Sequence, residues 1–395
     1  MTFSISFCCS ARQGAFAWAL ALAAAAPAAA MEAPVELEAS LSSLLQHAPA
    51  TLAASGTAQT RLSSRVDLQA RAPAGSWGPV QVQAFGHLRL GRGEGLALRP
   101  GYSSTPNSLA FQVPEDPREA TLAQAGLELA TPPTEAGPAW SLSLGKLDPF
   151  AYFDANRLAD DESRQFLNNA LVHNPLLDSG GDIGADRYGF APGAVLTWRA
   201  AGAAGEADEA EGAVQGRSAS LGWFSRTALR RALLIVQLEQ PLSLLPQRGR
   251  LRAYAWQQGR GEGFDGVQRR HRGLGFSLDQ ALTPHLAVFA RWGHQTQGRV
   301  RFGRALVAGL EWQGGAWGRS ADGLGLALAR LRTSAGFAAA SDPAARGSEQ
   351  LAELYYRWQW LPQLELSPDV QWLRRLGGQT GPQGRVMGLR LRVTL

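Results

Sequence analysis

Cysteine, lysine and long apolar runs are what this 395-residue sequence has least of. Its two cysteines, Cys8 and Cys9, precede an alanine-rich apolar run from Ala15 to Ala26, which Ala28, Ala29 and Ala30 follow. Arg12 is the only charge ahead of that run, and the arrangement reads as a secretory signal peptide over residues 1–30, too short for a spanning helix. Cysteines placed before the run, not at the cleavage point, argue against a lipid anchor. The exported chain, starting at Met31, has no cysteine, so a large core or a closed sheet in lipid must replace disulfides. No later stretch approaches the roughly twenty apolar residues of a transmembrane helix. That leaves a soluble periplasmic fold or a β-barrel, the other structure that satisfies its own backbone groups in hydrocarbon.

Lys146 is the single lysine among 38 basic residues, and the net charge is +5. The arginines are scattered at strand spacing and do not form the one-sided patch that tracks phosphates, so nucleic acid is not an expected partner. His47, His87, His173, His271, His285 and His294 are isolated, with no pair at zinc spacing. Asp178, Asp182 and Asp186 sit four apart, whereas a calcium loop needs oxygens at alternate positions and a closing Glu, so neither metal nor cofactor is expected. No Gly-x-Ser-x-Gly occurs, which removes the usual serine context of a hydrolase and argues against an enzyme. The Gly-Arg-Gly-Glu-Gly runs at 91–95 and 259–263 open no helix after a strand and read as hairpin turns, not phosphate loops.

What is abundant is alternation. In 65–72, Val66, Leu68, Ala70 and Ala72 share one face and Arg65, Asp67, Gln69 and Arg71 the other. The same period recurs at 80–90, 121–130, 249–257, 351–360 and 387–395. Further segments at 139–147, 194–200, 218–225, 232–239, 273–279, 285–292, 303–313, 323–331 and 363–373 bring the visible strands to about fifteen, with another expected near 95–113. Ten-residue alternating segments separated by turns mark a transmembrane antiparallel β-barrel, and about 365 exported residues at roughly 20 to 24 per strand and loop give 16 to 18 strands. Trp198, Trp223, Trp292, Trp312, Trp358, Trp360 and Trp372 fall near strand ends on the apolar parity, where an interfacial girdle needs them. The chain ends on a strand, but in Leu395 instead of the aromatic residue that outer-membrane strands usually present to the assembly machinery. Leu37, Leu41, Leu44 and Leu45 predict a short amphipathic helix in an N-terminal periplasmic segment, 31–60, ahead of a barrel at 61–395.

One stretch breaks the rhythm. Between 143 and 198 about forty residues do not alternate, far more than a hairpin needs, and loops of that length are usually functional or disordered. It holds Gly145-Lys146-Leu147-Asp148, Tyr152-Phe153-Asp154-Ala155-Asn156, the acidic turn Asp160-Asp161-Glu162, and a Gln165-Phe166-Leu167-Asn168 run leading to Asn174-Pro175. A Gly/Asp-rich return closes it. These motifs resemble the OprB-type carbohydrate-selective porins of bacterial outer membranes. The resemblance implies a passive channel for small sugars into the periplasm, with outer-membrane lipid and the assembly machinery as partners; whether the barrel is a monomer or a homotrimer the sequence leaves open. It also implies that 148–190 is a partly helical constriction loop folded into the bore. A polysaccharide-export barrel and a general-diffusion or structural barrel remain as alternatives with the same strands.

Sugar hydroxyls donate and accept, so a filter for them wants guanidinium, carboxylate and amide groups. The candidate constriction residues are Lys146, Asp148, Asp154, Asn156, Asp160, Asp161, Glu162, Arg164, Asn168 and Asn169. The candidate lumen residues are Arg65, Arg71, Arg89, Arg250, Arg252, Arg357, Arg390 and Arg392. Asp154, Asn156 and Arg164 either face the solute or fix the loop's own conformation, and Phe150, Phe153 and Phe166 read as the loop's small core. The arginines predict an eyelet attractive to polar or anionic solutes.

Overall fold

The structure, a computed structural model, describes residues 35–99, 105–111, 120–132, 137–177, 189–201, 216–225, 232–242, 245, 247–340, 342–381 and 383–394. The expected export segment 1–30, the Asp178, Asp182 and Asp186 stretch and Leu395 lie outside the described residues. Sixteen strands run in chain order around a closed antiparallel barrel. They are β1 (Glu36–Ala48), β2 (Gln59–Trp77), β3 (Val80–Gly93), β4 (Ala120–Ala130), β5 (Ala139–Leu147), β6 (Ala191–Arg199), β7 (Ser218–Phe224) and β8 (Leu233–Leu242). The second half is β9 (Gly249–Glu262), β10 (Gln268–Ala281), β11 (Leu286–Gln297), β12 (Phe302–Gln313), β13 (Gly323–Thr333), β14 (Ser348–Leu361), β15 (Leu364–Arg374) and β16 (Gln383–Thr394). Because every neighbour is antiparallel, the ends of odd strands and the starts of even strands share one rim.

Side-chain parity sorts the residues as the pleat requires. On β2, Val66 and Leu68 turn outward while Ser63, Arg65 and Asp67 are buried inside. Leu88, Leu221, Val236, Leu306 and Leu328 are exposed on the outer wall, as lipid-facing side chains must be in a protein stripped of its membrane. Trp140, Trp312, Trp358 and Trp360 crowd one rim, with Trp140 paired directly to Trp198, and Trp372 lies near the other. The crowded rim carries the aromatic girdle of a membrane-crossing barrel.

The N-terminal segment departs from expectation. Residues 36–48 form no helix: β1 pairs Leu41 with Val66 of β2 and with Val393 of β16, closing the barrel. Leu37, Leu41 and Leu45 are four apart, a spacing that fits a helical stripe and one face of a strand equally well. Closure decides between them, because β2 and β16 would otherwise carry unpaired edges. The barrel therefore begins at Glu36, not at 61. The strand expected near 95–113 is absent among the described residues of that stretch, which hold a single bridge, Ala53 to Leu98, and the one-turn helix Ser108–Phe111.

The interior is not uniformly polar. Val195, Ile235, Phe289, Val307, Ala327, Ala329 and Leu331 are buried on inward positions of β6 to β13, so that wall is apolar on both faces. The sequence carries this in 303–313 and 323–331, where apolar residues occupy both parities. Such a wall in an aqueous bore needs something packed against it.

Candidate functional site

That something is the 148–177 segment, and its polar residues first build its own turns. Asp148 Oδ1 accepts from Phe150 N at 3.0 Å and caps a 3-10 turn, Pro149–Ala151, that opens on proline. Asn156 Oδ1 accepts from Leu158 N, and Asp161 Oδ1 from Ser163 N at 2.8 Å. Asn168 caps the short helix Asn169–Val172 through Ala170 N at 3.1 Å. Asn and Asp favour such local bonds over regular ladders, which is why the alternation stops here.

The folded segment is then clamped to two separate parts of the barrel wall. Toward β8–β11, fully buried Asp154 accepts from Tyr254 Oη at 2.6 Å and Arg291 Nε at 3.1 Å. Asp154 N donates to Gln237 Oε1, Arg291 Nη1 donates to Leu171 O at 2.7 Å, and Asn156 Nδ2 reaches Ser277 Oγ at 3.0 Å. Toward β14–β16, Arg164 holds Glu365 through Nε and Nη2, and Glu353 accepts from Leu167 N and Asn168 N. Asn168 Nδ2 donates to Gln371, and Arg390 Nη1 donates to the Glu162 and Gln165 carbonyls. A buried, hydrogen-bonded ion pair such as Asp154–Arg291 is costly to break from one side, about 3 to 5 kcal/mol.

Between the clamps the packing is apolar. Phe153 meets Phe224 edge-on at 6.1 Å, and Phe166 lies against Phe289 and Tyr355. Both phenylalanines are fully buried, worth about 1.5 to 3 kcal/mol each. Gly222 is what allows the first contact: a Cβ there would sit 2.5 Å from the Phe153 ring. A second insert, residues 105–111, completes the filling. Thr105 N donates to Asn169 Oδ1, Gln46 and Gln371 donate to Pro106 O, and Leu109 packs with Leu44 and Leu167.

What stays open is a cavity of about 360 Å³ between the segment and the β1–β3–β16 wall. Glu38, Arg65, Asp67, His87, Arg89 and Arg392 line it from the barrel, and Asp148, Phe150, Asp160, Asp161, Glu162 and His173 from the segment. The two sides touch where Arg65 Nη1 meets Glu162 Oε1 at 2.7 Å. Asp67 ties Arg65, Arg89 and His87 together at 2.7 to 2.8 Å. Phe150 and His173 stack face to face at 3.8 Å on the segment side. Burial works to raise the Glu162 carboxyl, but Arg65 and Arg89 overcome it and hold it at about 2. Asp148 is raised by burial, which its neighbours Arg89 and His173 only partly offset. When all are ionised, six carboxylates face three guanidiniums here, which favours cations and reverses the expectation of an anion-attracting eyelet.

The candidate residues thus divide. Asp148, Asp160, Asp161 and Glu162 face the opening with Arg65, Arg89 and Arg392. Asp154, Asn156, Arg164, Asn168, Asn169 and Arg390 hold the segment in place. Lys146, next to last in β5, has its ammonium 5.6 Å over the Phe190 ring, which Arg89 also approaches at 5.1 Å. Arg250 and Arg252 pair with Glu239, and Arg252 also with Asp279; Arg357 pairs with Glu311; none of these arginines lines the opening, nor does Arg71. Asp67, Arg291, Glu353 and Glu365 were not among the candidate site residues. Each occupies an inward parity position in a recognised strand, and buried charge at such positions was the available signal.

Comparison with known proteins follows the same division of the chain. The family model of the carbohydrate-selective porins, OprB family, matches residues 139–395, from β5 through the clamped segment to β16. The high-pH structure of Pseudomonas putida OprB superposes with a TM-score of 0.70 at 14% identity, covering 91% of this chain and 94% of that one. The low-pH structure of the same protein gives a TM-score of 0.53 at 12% identity, covering 91% and 92%. No curated protein matches the sequence.

Proposed function

The chain belongs to the OprB family of carbohydrate-selective porins, outer-membrane β-barrels for passive diffusion of small sugars, and from that premise we propose that the 360 Å³ opening beside the clamped segment is the sugar-selective step. The observation that carries the reading is the alternation of donors and acceptors around a space of small-ligand size. A sugar ring presents hydroxyls that donate to carboxylates and accept from guanidiniums, and one apolar face that suits the Phe150–His173 stack. Wall arginines locked by Asp67 do not have to reorganise for each solute, which keeps the site rigid while leaving binding weak enough for release.

In this reading residues 1–30 are the cleaved export signal, 148–190 is the constriction loop, and the barrel sits in outer-membrane lipid after delivery by the assembly machinery. Homotrimer formation belongs to the same proposal and is read by native mass spectrometry of the detergent-extracted protein. The functional test is single-channel current in planar bilayers. Glucose-like sugars should reduce a small, steady conductance in a concentration-dependent way. A current indifferent to sugars but blocked by long acidic polymers would replace this reading with polysaccharide export.

A further inference from the structure

A second cavity, of about 590 Å³, lies on the outside of the barrel, at the rim from which the constriction loop descends. It is lined by His294 of β11, Arg304 of β12, Arg332 of β13 and Arg346 before β14, with Ser334 and the short helix Ala335–Ala340 on its upper side. The register makes a rung of the first three. His294 stands directly opposite Arg304, and Arg304 directly opposite Arg332. All three share the parity of Leu306 and Leu328, the outward face. Directly opposed residues in a sheet bring their Cβ atoms to about 4.5 to 5.5 Å, and like charges in that relation are destabilising unless something neutral or negative intervenes.

No described residue does so. Arg304, Arg332 and Arg346 are exposed and make no ion pair or hydrogen bond with any other described residue, and no carboxylate lines the cavity. His294 Nδ1 lies 3.2 Å from the Gly303 carbonyl, which can only accept, so Nδ1 donates there and Nε2 is the ring's other face. Arg330, one step inward on the same face, is turned to Ser348 Oγ at 3.2 Å. Below the rung the outer wall becomes apolar: Trp292 and Leu306, then Ala290, Ala308 and Leu328, then Val288, Leu310 and Leu326, ending at Trp312. From Arg304 to Trp312 is about 27 Å along the strand and about 21 Å of height at a tilt of about 40°, comparable to a barrel's apolar band. The rung therefore stands at headgroup depth, with acyl chains below it.

We propose that His294, Arg304, Arg332 and Arg346 form a site for a lipid whose headgroup carries phosphate groups, seated with its chains against the Trp292–Leu306–Leu328 wall. Guanidiniums bind phosphate in paired hydrogen bonds, and two facing each other across one rung suit a doubly phosphorylated headgroup better than a single small anion. The proposal is independent of the sugar path, because these side chains point away from the bore.

The test uses the full barrel in detergent, with lipid binding read by native mass spectrometry. Three probes are compared: bis-phosphorylated lipid A, the same lipid without its phosphates, and inorganic phosphate. The wild-type protein should retain phosphorylated lipid A, lose at least tenfold in affinity when its phosphates are removed, and keep its lipid in millimolar inorganic phosphate. The Arg304→Gln/Arg332→Gln protein should bind phosphorylated lipid A about tenfold more weakly, as loss of two surface arginines implies. The charge-keeping Arg304→Lys/Arg332→Lys protein, which loses the paired hydrogen bonds but not the charge, should fall between wild type and the Gln variant, which separates loss of charge from damage to the fold. Equal affinity in wild type and the Gln variant, equal loss in the Gln and Lys variants, or displacement by inorganic phosphate at the lipid's own concentration would each overturn the proposal.

Discussion

Arg65 and Glu162, 97 residues apart in the chain, meet at 2.7 Å where the barrel wall touches the inserted segment, and Asp67 grips Arg65 from the other side. Both residues line the opening, so the contact bounds it on one side. Glu162→Gln removes the charge while keeping the shape, so Arg65 falls back on Asp67 alone. Single-channel conductance should rise, by about 1.5-fold to 3-fold, and sugar block should weaken, with the heat-stable barrel unchanged on gel migration. Both side chains are buried, but the Gln carbonyl still accepts from Arg65 and Asp67 still pairs its charge, which is why conductance and stability should separate.

The acid response follows from two carboxyls on the inserted segment. Glu162, held at about 2 against an unfolded value near 4.3, contributes stability that is present above the unfolded value and lost only as pH falls through about 2. The clamp on Arg65 should therefore persist through the whole range in which bilayers are measured. Asp148 is shifted the other way, upward, by burial, so it is the first of these acids to take a proton as pH falls. Reversal potentials in a salt gradient should show cation preference at neutral pH that declines on acidification. Asp148→Asn should abolish most of that decline, and a variant that still titrates in full would remove Asp148 from the passage.

The Asp154–Arg291 pair predicts a different phenotype. Asp154 has φ +63°, a left-handed backbone that Asn also adopts readily, so Asp154→Asn tests the charge without the strain. Arg291, fully buried, then keeps two segment carbonyls and, as its one segment carboxylate among the described residues, the more distant Asp160 at 3.8 Å. Loss of thermal stability corresponding to about 3 kcal/mol is expected, together with noisy, enlarged currents as the segment leaves its seat. Quiet currents of normal size would mean that the β14–β16 clamp suffices alone.

Gly222→Ala addresses the apolar side of the same seat. Its new methyl would lie 2.5 Å from the Phe153 ring, so either the ring or the strand must move. Overpacking of this kind costs about 1 to 3 kcal/mol. The expected result is a lower unfolding temperature with protease cleavage inside 148–177, whereas Gly266→Ala, in an outer turn at positive φ with open space around it, should leave that segment protected.

The first strand can be tested by removal. Deleting residues 36–48 leaves β2 and β16 facing each other with unsatisfied edges, and no heat-resistant barrel should form on refolding into detergent. A periplasmic helical arm, by contrast, would be dispensable, so normal refolding of the truncated chain would restore the helical reading of this segment.

Period-two alternation was enough to place fifteen of the sixteen strands, because inward and outward environments differ in polarity and each side chain records its own. It was enough also to locate the inserted segment, since Asn and Asp turn chemistry interrupts the pattern, and the Gly-Lys-Leu-Asp and Gln-Phe-Leu-Asn motifs tied that segment to its family. Three matters were settled only by tertiary structure. Leu37, Leu41 and Leu45 fit helix and strand equally, and the open edges of β2 and β16 chose the strand. Asp154 and Glu162 look alike in sequence, yet one lies against Arg291 in the dry seat and the other faces the opening, a difference made by partners 137 and 97 residues away. The rung of His294, Arg304 and Arg332 exists only through register: residues that never adjoin in the chain become neighbours because antiparallel pairing lays their positions side by side.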